Sequence, residues 1–173
     1  MIRKAVFEDI ERLAEIYEEI HAEEEAGRMS VGWQKGVYPT GKTALLALER
    51  GDLFVEEDEA GKIVAGGVIN QIQVPEYADA AWEHAASPEK VMVLHMLTVS
   101  PKSTGRGYAK NFVRYYEEYA LAHDCPFLRM DTQEKNTAAR RLYAGLGYKE
   151  ADIVDCDFNG IPGVKLVCLE KKL

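Results

Sequence analysis

The run Val91–Val99 is the most apolar stretch in the chain, and it stops at Pro101, just before Gly105 and Gly107. Its β-branched content reads as a strand covered on both faces, which has to lie inside a sheet. Beyond the glycines, Ala109, Phe112, Val113, Tyr116 and Ala120 keep helical spacing to about His123, so the strand must turn directly into a long helix. Glycines let a backbone turn tightly and approach a ligand, and the unpaired N–H groups of a helix start attract negative charge. The turn therefore reads as an anion site of the size of a diphosphate.

The remaining elements fit around this unit. Ile10, Leu13, Ile16, Tyr17 and Ile20 predict an amphipathic helix over about 8–25, with a mostly Glu and Arg outer face. Thr40 is a helix cap behind Pro39, and Gly51 ends that second helix. Leu53–Val55 and Lys62–Val74 read as strands of a hairpin turning at Asp58-Glu59-Ala60-Gly61, and Gly66-Gly67 marks a bulge or a close approach. Residues 75–90 form a loop too long for a tight turn, which makes it a functional-loop candidate. A short strand over Phe127–Asp131, a helix over Thr137–Leu146 and strands near 149–158 and 163–170 complete a mixed α/β chain. No repeat or linker divides it, so residues 1–173 are read as a single domain.

Charge and cysteine content narrow the function classes. The chain has 29 acidic against 21 basic side chains, a net charge of −8, which argues against nucleic acid and anionic membrane surfaces. Cys125, Cys156 and Cys168 are odd in number and lack CxxC spacing, the pattern of reduced thiols and of a cytoplasmic protein. No apolar run approaches the roughly 18 residues of a membrane span, and none resembles a signal peptide.

Two glycine motifs compete. Gly36-Val-Tyr-Pro-Thr-Gly41-Lys42-Thr43 matches the phosphate-loop pattern GxxxxGK[ST]. That chemistry needs a buried strand leading into the loop, whereas Arg28–Lys35 is polar and broken by glycine. It also wants an apolar strand ending in a magnesium-binding Asp, and Phe127-Leu128-Arg129-Met130-Asp131 carries Arg in its middle. A nucleotide triphosphatase is the weaker reading. The second motif, Val99-Ser-Pro101-Lys-Ser-Thr104-Gly105-Arg106-Gly107-Tyr108-Ala109, has both the strand and the helix that an anion site requires.

This second motif resembles motif A of the GNAT superfamily of N-acetyltransferases, a strand followed by V-x-P and then [RQ]-x-x-G-x-[GA]. Val99, Pro101, Gly107 and Ala109 match, Gly105 fits the glycine-rich turn, and Thr104 stands in the Arg/Gln place. Thr104 keeps a hydroxyl but loses the charge or reach, with Arg106 beside it to compensate. Asn136-Thr-Ala-Ala139-Arg-Arg141-Leu142-Tyr143-Ala-Gly-Leu-Gly147-Tyr148 resembles the family's second signature, N-x-x-A-x-x-L-Y-x-x-x-G-[FY]. The resemblance implies one domain with a mixed, mostly antiparallel central sheet, flanking helices and splayed central strands. It also implies acetyl-CoA as donor, a primary amine as acceptor, no metal and no covalent enzyme intermediate.

Carried over residue by residue, the resemblance makes Tyr143 the general acid toward the leaving thiolate. The backbone of Leu97, Thr98 and Val99 would pair with the pantetheine arm, and that of Thr104, Gly105, Arg106, Gly107, Tyr108 and Ala109 with the diphosphate. Asn136 would orient the pantetheine or a water, and Arg141 would lie near the phosphates, its alternative being a solvated helix arginine. His95 is the favoured general base, with a buried structural histidine as the bland reading, and Glu83 and His84 are the runners-up. Trp33, Tyr38, Tyr77, Trp82 and His84 are expected to line the acceptor pocket. A homodimer interface is the other use for such aromatics. A non-catalytic acyl-CoA sensor of the same fold is the alternative function, and the acceptor's identity is not legible.

Overall fold

The structure is a computed structural model that describes residues 1–173. Val91–Val99 forms a strand, β4, at the middle of a seven-stranded sheet. On one side lie β1 (Ile2–Lys4), β2 (Leu53–Glu57) and β3 (Ile63–Asn70); on the other lie β5 (Phe127–Gln133), β7 (Ile161–Lys172) and β6 (Lys149–Phe158). The spatial order is β1-β2-β3-β4-β5-β7-β6, and every neighbouring pair is antiparallel except β4 and β5.

Helices α1 (Asp9–Glu25) and α2 (Gly41–Arg50) cover one face of the β1–β4 half, packing Leu13, Ile16, Ile20, Ala44 and Ala47 on Leu53, Val55 and Val68. Thr40 and Thr43 cap α2 reciprocally, and Gly51 ends it at φ 77°, as the sequence predicts. Helices α3 (Tyr108–Ala122) and α4 (Thr137–Gly145) cover the opposite face, where Phe112, Val113, Tyr116 and Tyr143 meet Met92, Leu94, Leu128 and Met130. Strand β1 was not anticipated, because three residues carry no periodicity. Its pairing with β2 is supported by Arg3, which bridges Asp9 and Glu57 at 2.6 Å each.

Two irregularities at the centre set up the rest. The pairs Gly66↔Thr98 and Val68↔His95 show that β4 carries one residue more than β3 between them. The bulge or close approach expected at Gly66-Gly67 is present: the register shifts between Gly66 and Val68, and the extra residue belongs to β4, where Met96 adopts φ 54°. Parallel pairing of β4 with β5 runs only from Val91↔Phe127 to Leu94↔Met130, although both strands continue. The strands thus part after Leu94, ahead of the Leu97-Thr98-Val99 stretch whose backbone is expected to pair with the pantetheine arm.

Gly66 and Gly67 are where both helical layers come closest to the sheet. A Cβ on Gly66 would stand 2.6 Å from Leu13 Cδ2, and one on Gly67 would stand 3.0 Å from Phe112 Cε1. Overpacking of this kind costs about 1–3 kcal/mol. Gly66→Val should therefore lower the urea midpoint by a comparable loss of stability, whereas Gly145→Ala, which meets open space, should leave it unchanged.

Candidate active site

Beyond the last β4–β5 pair the sheet opens into a cavity of about 120 Å³. His95, Met96 and Leu97 from β4 and Asp131, Thr132 and Gln133 from β5 form its walls. Asn136, Ala139 and Tyr143 reach it from the α4 side, and Val31, Trp33 and Tyr38 reach it from the segment joining α1 to α2. Since those elements cover opposite faces, the opening passes through the sheet. Phe158, Asn159 and Ile161 at the β6–β7 turn close one end.

Each wall residue has a local reason for its position. Asn136 caps α4, its Oδ1 accepting the Ala139 N–H at 3.1 Å, which leaves Nδ2 as a donor at the cavity. Tyr143 lies two turns further on the apolar side of α4, packed edge-on against Tyr148 at 6.1 Å. Burial, and then the charge of Asp131, raise its phenol well above the ordinary value, so the proton stays on the oxygen at neutral pH. Asp131 accepts a 2.7 Å hydrogen bond from the Tyr77 hydroxyl. Burial outweighs that bond and pushes its carboxyl up to about 6. Sequence reasoning passed over Asp131 except as a magnesium ligand; the available signal was a carboxylate at the end of an apolar central strand.

His95 also reaches the cavity, but as a poor proton acceptor. Asn70 Oδ1 accepts from the Ile72 N–H at 2.9 Å, which identifies it as the oxygen, so His95 Nε2 donates to it at 3.1 Å. Burial lowers the imidazole to about 4, against smaller opposing effects of Ile72 and Asp52, and the ring is neutral over the physiological range.

The glycine turn sits at the end of the same strand. Gly105 and Gly107 have φ of 78° and 86°, and Gly107 caps α3. The backbone N–H groups of Thr104 through Lys110 donate to no acceptor within the protein; the first engaged is Asn111, bonded to Gly107 oxygen at 2.9 Å. The row of donors that a diphosphate needs is therefore present. Thr104 contributes less than its hydroxyl promised, because that group donates to Pro101 oxygen at 2.9 Å. Arg106 and Arg141 are both exposed, and neither is held in an ion pair.

Of the five residues expected around the acceptor, Trp33 and Tyr38 line the cavity, in edge-to-face contact at 6.1 Å. Tyr77, Trp82 and His84 do not. Tyr77 is buried under Asp131, Trp82 Nε1 donates to Tyr77 oxygen, and His84 packs on Phe127. Their loop is fastened to the sheet by two buried charges: Arg129 lies over the Trp82 ring at 4.1 Å and donates to His84 oxygen, and Glu170 accepts the N–H groups of Glu83 and His84. The Glu83 carboxylate points away to an exposed ion pair with Lys149, outside the cavity. It is not positioned to act as a base.

The phosphate-loop match has no counterpart in the fold. No strand leads into it: Gln34 and Tyr38 close a turn, and Gly41–Thr43 is the first turn of α2. Arg129 in the middle of β5 is accounted for by its grip on the 71–90 loop. No group of three or more His, Cys, Asp or Glu side chains could hold a metal ion, and no helix is long and apolar enough to cross a membrane.

The sheet thus parts beside a glycine turn of free N–H groups, with a protonated phenol and a carboxylate in the gap. The family model described as Acetyltransferase (GNAT) family matches residues 10–148, and the chain belongs to that family, making it an enzyme of the N-acetyltransferase class. No match is found among curated proteins. Among solved structures, a GNAT-family acetyltransferase from Streptococcus agalactiae 2603 superposes with a TM-score of 0.84 at 23% identity, over 100% of this chain and 95% of that one. A GNAT-family acetyltransferase from Listeria monocytogenes 4b F2365 gives 0.73 at 20% identity, over 100% and 94%. The ribosomal-protein-alanine N-acetyltransferase of Brucella melitensis gives 0.72 at 17% identity, over 100% and 99%. At such identities the likeness is one of fold, including the seven-stranded, mostly antiparallel sheet.

The raised carboxyl of Asp131 has a consequence for stability. Its folded value, about 6, lies above the unfolded value near 3.9, so the ionised carboxylate weakens the fold above pH 6, and the penalty fades as pH falls toward 4. Asp131→Asn retains an acceptor for Tyr77 and should raise Tm by several degrees at pH 8, corresponding to roughly 1–3 kcal/mol, with little change at pH 4. Calorimetry at the two pH values checks this.

Proposed function

We propose that the protein transfers an acetyl group from acetyl-CoA directly to a primary amine, with Asp131 as general base and Tyr143 as general acid. The observation that carries this reading is the gap between β4 and β5: Asp131 and Tyr143 line one cavity there, beside the strand that runs on into the glycine turn. The carrier, when bound, supplies an acetyl group activated as a thioester. The N–H groups of 104–110 would hold its diphosphate, Asn136 Nδ2 would donate to its amide arm, and Arg106 and Arg141 are free to meet its outer phosphates.

The remaining chemistry belongs to the chain. An amine with a pKa near 10 arrives protonated and cannot attack until it loses a proton. Asp131 takes that proton; a carboxylate near 6 is a better acceptor than an imidazole near 4, which is why it displaces His95 in this role. His95 then serves as a neutral wall that leaves the Asp131 charge uncompensated. The β4 backbone from His95 to Leu97 has no β5 partner and offers its polar groups to the carbonyl as negative charge develops there. As the amine nitrogen bonds to the carbonyl carbon and the C–S bond breaks, Tyr143 Oη gives its proton to the departing sulfur, and the second proton shed by the new amide nitrogen restores the phenol.

In this reading kcat/KM for the amine rises with pH through about 6. Asp131→Asn should abolish that limb with a loss on the order of 10²–10⁴-fold, while His95→Ala keeps it. Tyr143→Phe should lower kcat over the same range with acetyl-CoA affinity, measured by calorimetry, nearly unchanged. Wild-type turnover in Tyr143→Phe, or an intact limb in Asp131→Asn, would remove the respective role, and absence of acetyl-CoA binding would remove the reading altogether.

A further inference from the structure

A second cavity, of about 290 Å³, lies between α2 and β3. Tyr38, His95 and Met96 line both spaces, so the second abuts the transfer cavity across these three side chains. Met96, unbranched and flexible, can move aside between them. The walls of the second space are otherwise mainly apolar: Leu46 and Ala47 from α2, Val68 from β3, and Ile72 just beyond it. Leu46 and Ile72 are 47% and 56% exposed and line this space together, whereas apolar side chains exposed singly need no explanation.

The polar groups of this wall are already engaged with one another. Arg50 is held in two hydrogen bonds by Asp52, at 2.9 and 3.1 Å, and Asn70 Nδ2 also donates to Asp52, at 2.8 Å. Asn70 Oδ1 takes the Ile72 N–H and His95, and Thr43 closes the α2 cap. The wall therefore offers no unanswered cation for a substrate carboxylate and no unanswered carboxylate for a second ammonium. In the transfer cavity, by contrast, Asp131 and the Trp33 and Tyr38 rings favour a single cationic head.

Resting on the transfer reading above, we propose that the second cavity binds the body of the acceptor, and that the acceptors are monoamines with an alkyl or arylalkyl chain rather than polyamines or amino acids. The amine enters the gap beside Asp131 while its apolar chain lies along Met96, Val68, Leu46 and Ile72.

The test follows thiol release from acetyl-CoA with phenethylamine, spermidine and L-phenylalanine as acceptors. Phenethylamine should exceed spermidine by about tenfold or more in kcat/KM, the scale of burying one ring. It should exceed L-phenylalanine by a similar factor, because the carboxylate of the amino acid finds no free cation and stands near Asp131. Leu46→Gln and Ile72→Gln replace exposed side chains and so fold; each should reduce the preference for phenethylamine over spermidine severalfold without changing acetyl-CoA affinity. Equal or better turnover of spermidine or L-phenylalanine overturns the proposal and leaves the transfer reading standing. Binding of acetyl-CoA without thiol release on any of the three amines, read with the Tyr143→Phe and Asp131→Asn results, fails the transfer reading and this proposal with it. If the Gln variants convert a dimer to a monomer in size-exclusion chromatography and leave the preference intact, the patch is a contact between copies and the proposal falls.

Discussion

The parting of β4 from β5 is the constraint on which the rest depends. A parallel pair that stayed in register past Leu94 and Met130 would satisfy its own backbone and leave no passage between the two faces. The extra residue at Met96 turns β4 out of that register, and Gly67 opposite it accommodates the shift because a side chain there would meet Phe112 and Leu94. The closed end is held by Arg129 and Glu170, cross-strand partners on β5 and β7 that both anchor the 71–90 loop. At the open end Gln133 donates to Gly32 oxygen at 2.6 Å, tying β5 to the segment that carries Trp33 and Tyr38. A backbone irregularity of one residue is thus clamped at both ends into a site.

Much of this was legible from the residues. Helix limits came from caps and glycine stops whose physics is local: Thr40 and Gly51 bracket α2, and Gly107 and Asn136 open α3 and α4 as their residue types demand. The glycine turn was readable because its positive-φ backbone, at Gly105 and Gly107, is one that glycines announce. What could not be read depends on partners distant in sequence. The extra residue of β4 is Met96, a side chain that signals nothing about positive φ; the glycines opposite it mark the irregularity and the close approach but not the strand that carries the extra residue. Tyr77, Trp82 and His84 looked like pocket residues because aromatics in a long loop usually line something; here that something is Arg129, Asp131 and Phe127 on the sheet.

The base illustrates the same limit. His95 and Asp131 occupy facing strands on either side of the gap, and residue type alone favours the histidine, whose ordinary pKa lies near neutrality. Burial acts on both but in opposite directions, lowering the imidazole to about 4 and raising the carboxyl to about 6. Their order as bases is therefore reversed by the environment. The fold retains Asp131 at a cost to its own stability, which fits a group kept for proton transfer rather than packing.

The two-faced opening also bears on the order of events. The groups proposed to hold the donor come from α4 and the α3 turn on one face, and those proposed for the acceptor come from the α1–α2 segment on the other. Two molecules entering from opposite sides can occupy the gap together, which favours direct attack within one complex over a relay through the protein. The nearest thiol supports this. Cys168 pairs with Asp131 across β5 and β7, but it is fully buried and burial pushes it up to about 12, so it presents no thiolate at neutral pH. The gap itself holds a carboxylate, a phenol that carries its proton at neutral pH, and a strand edge left open between them.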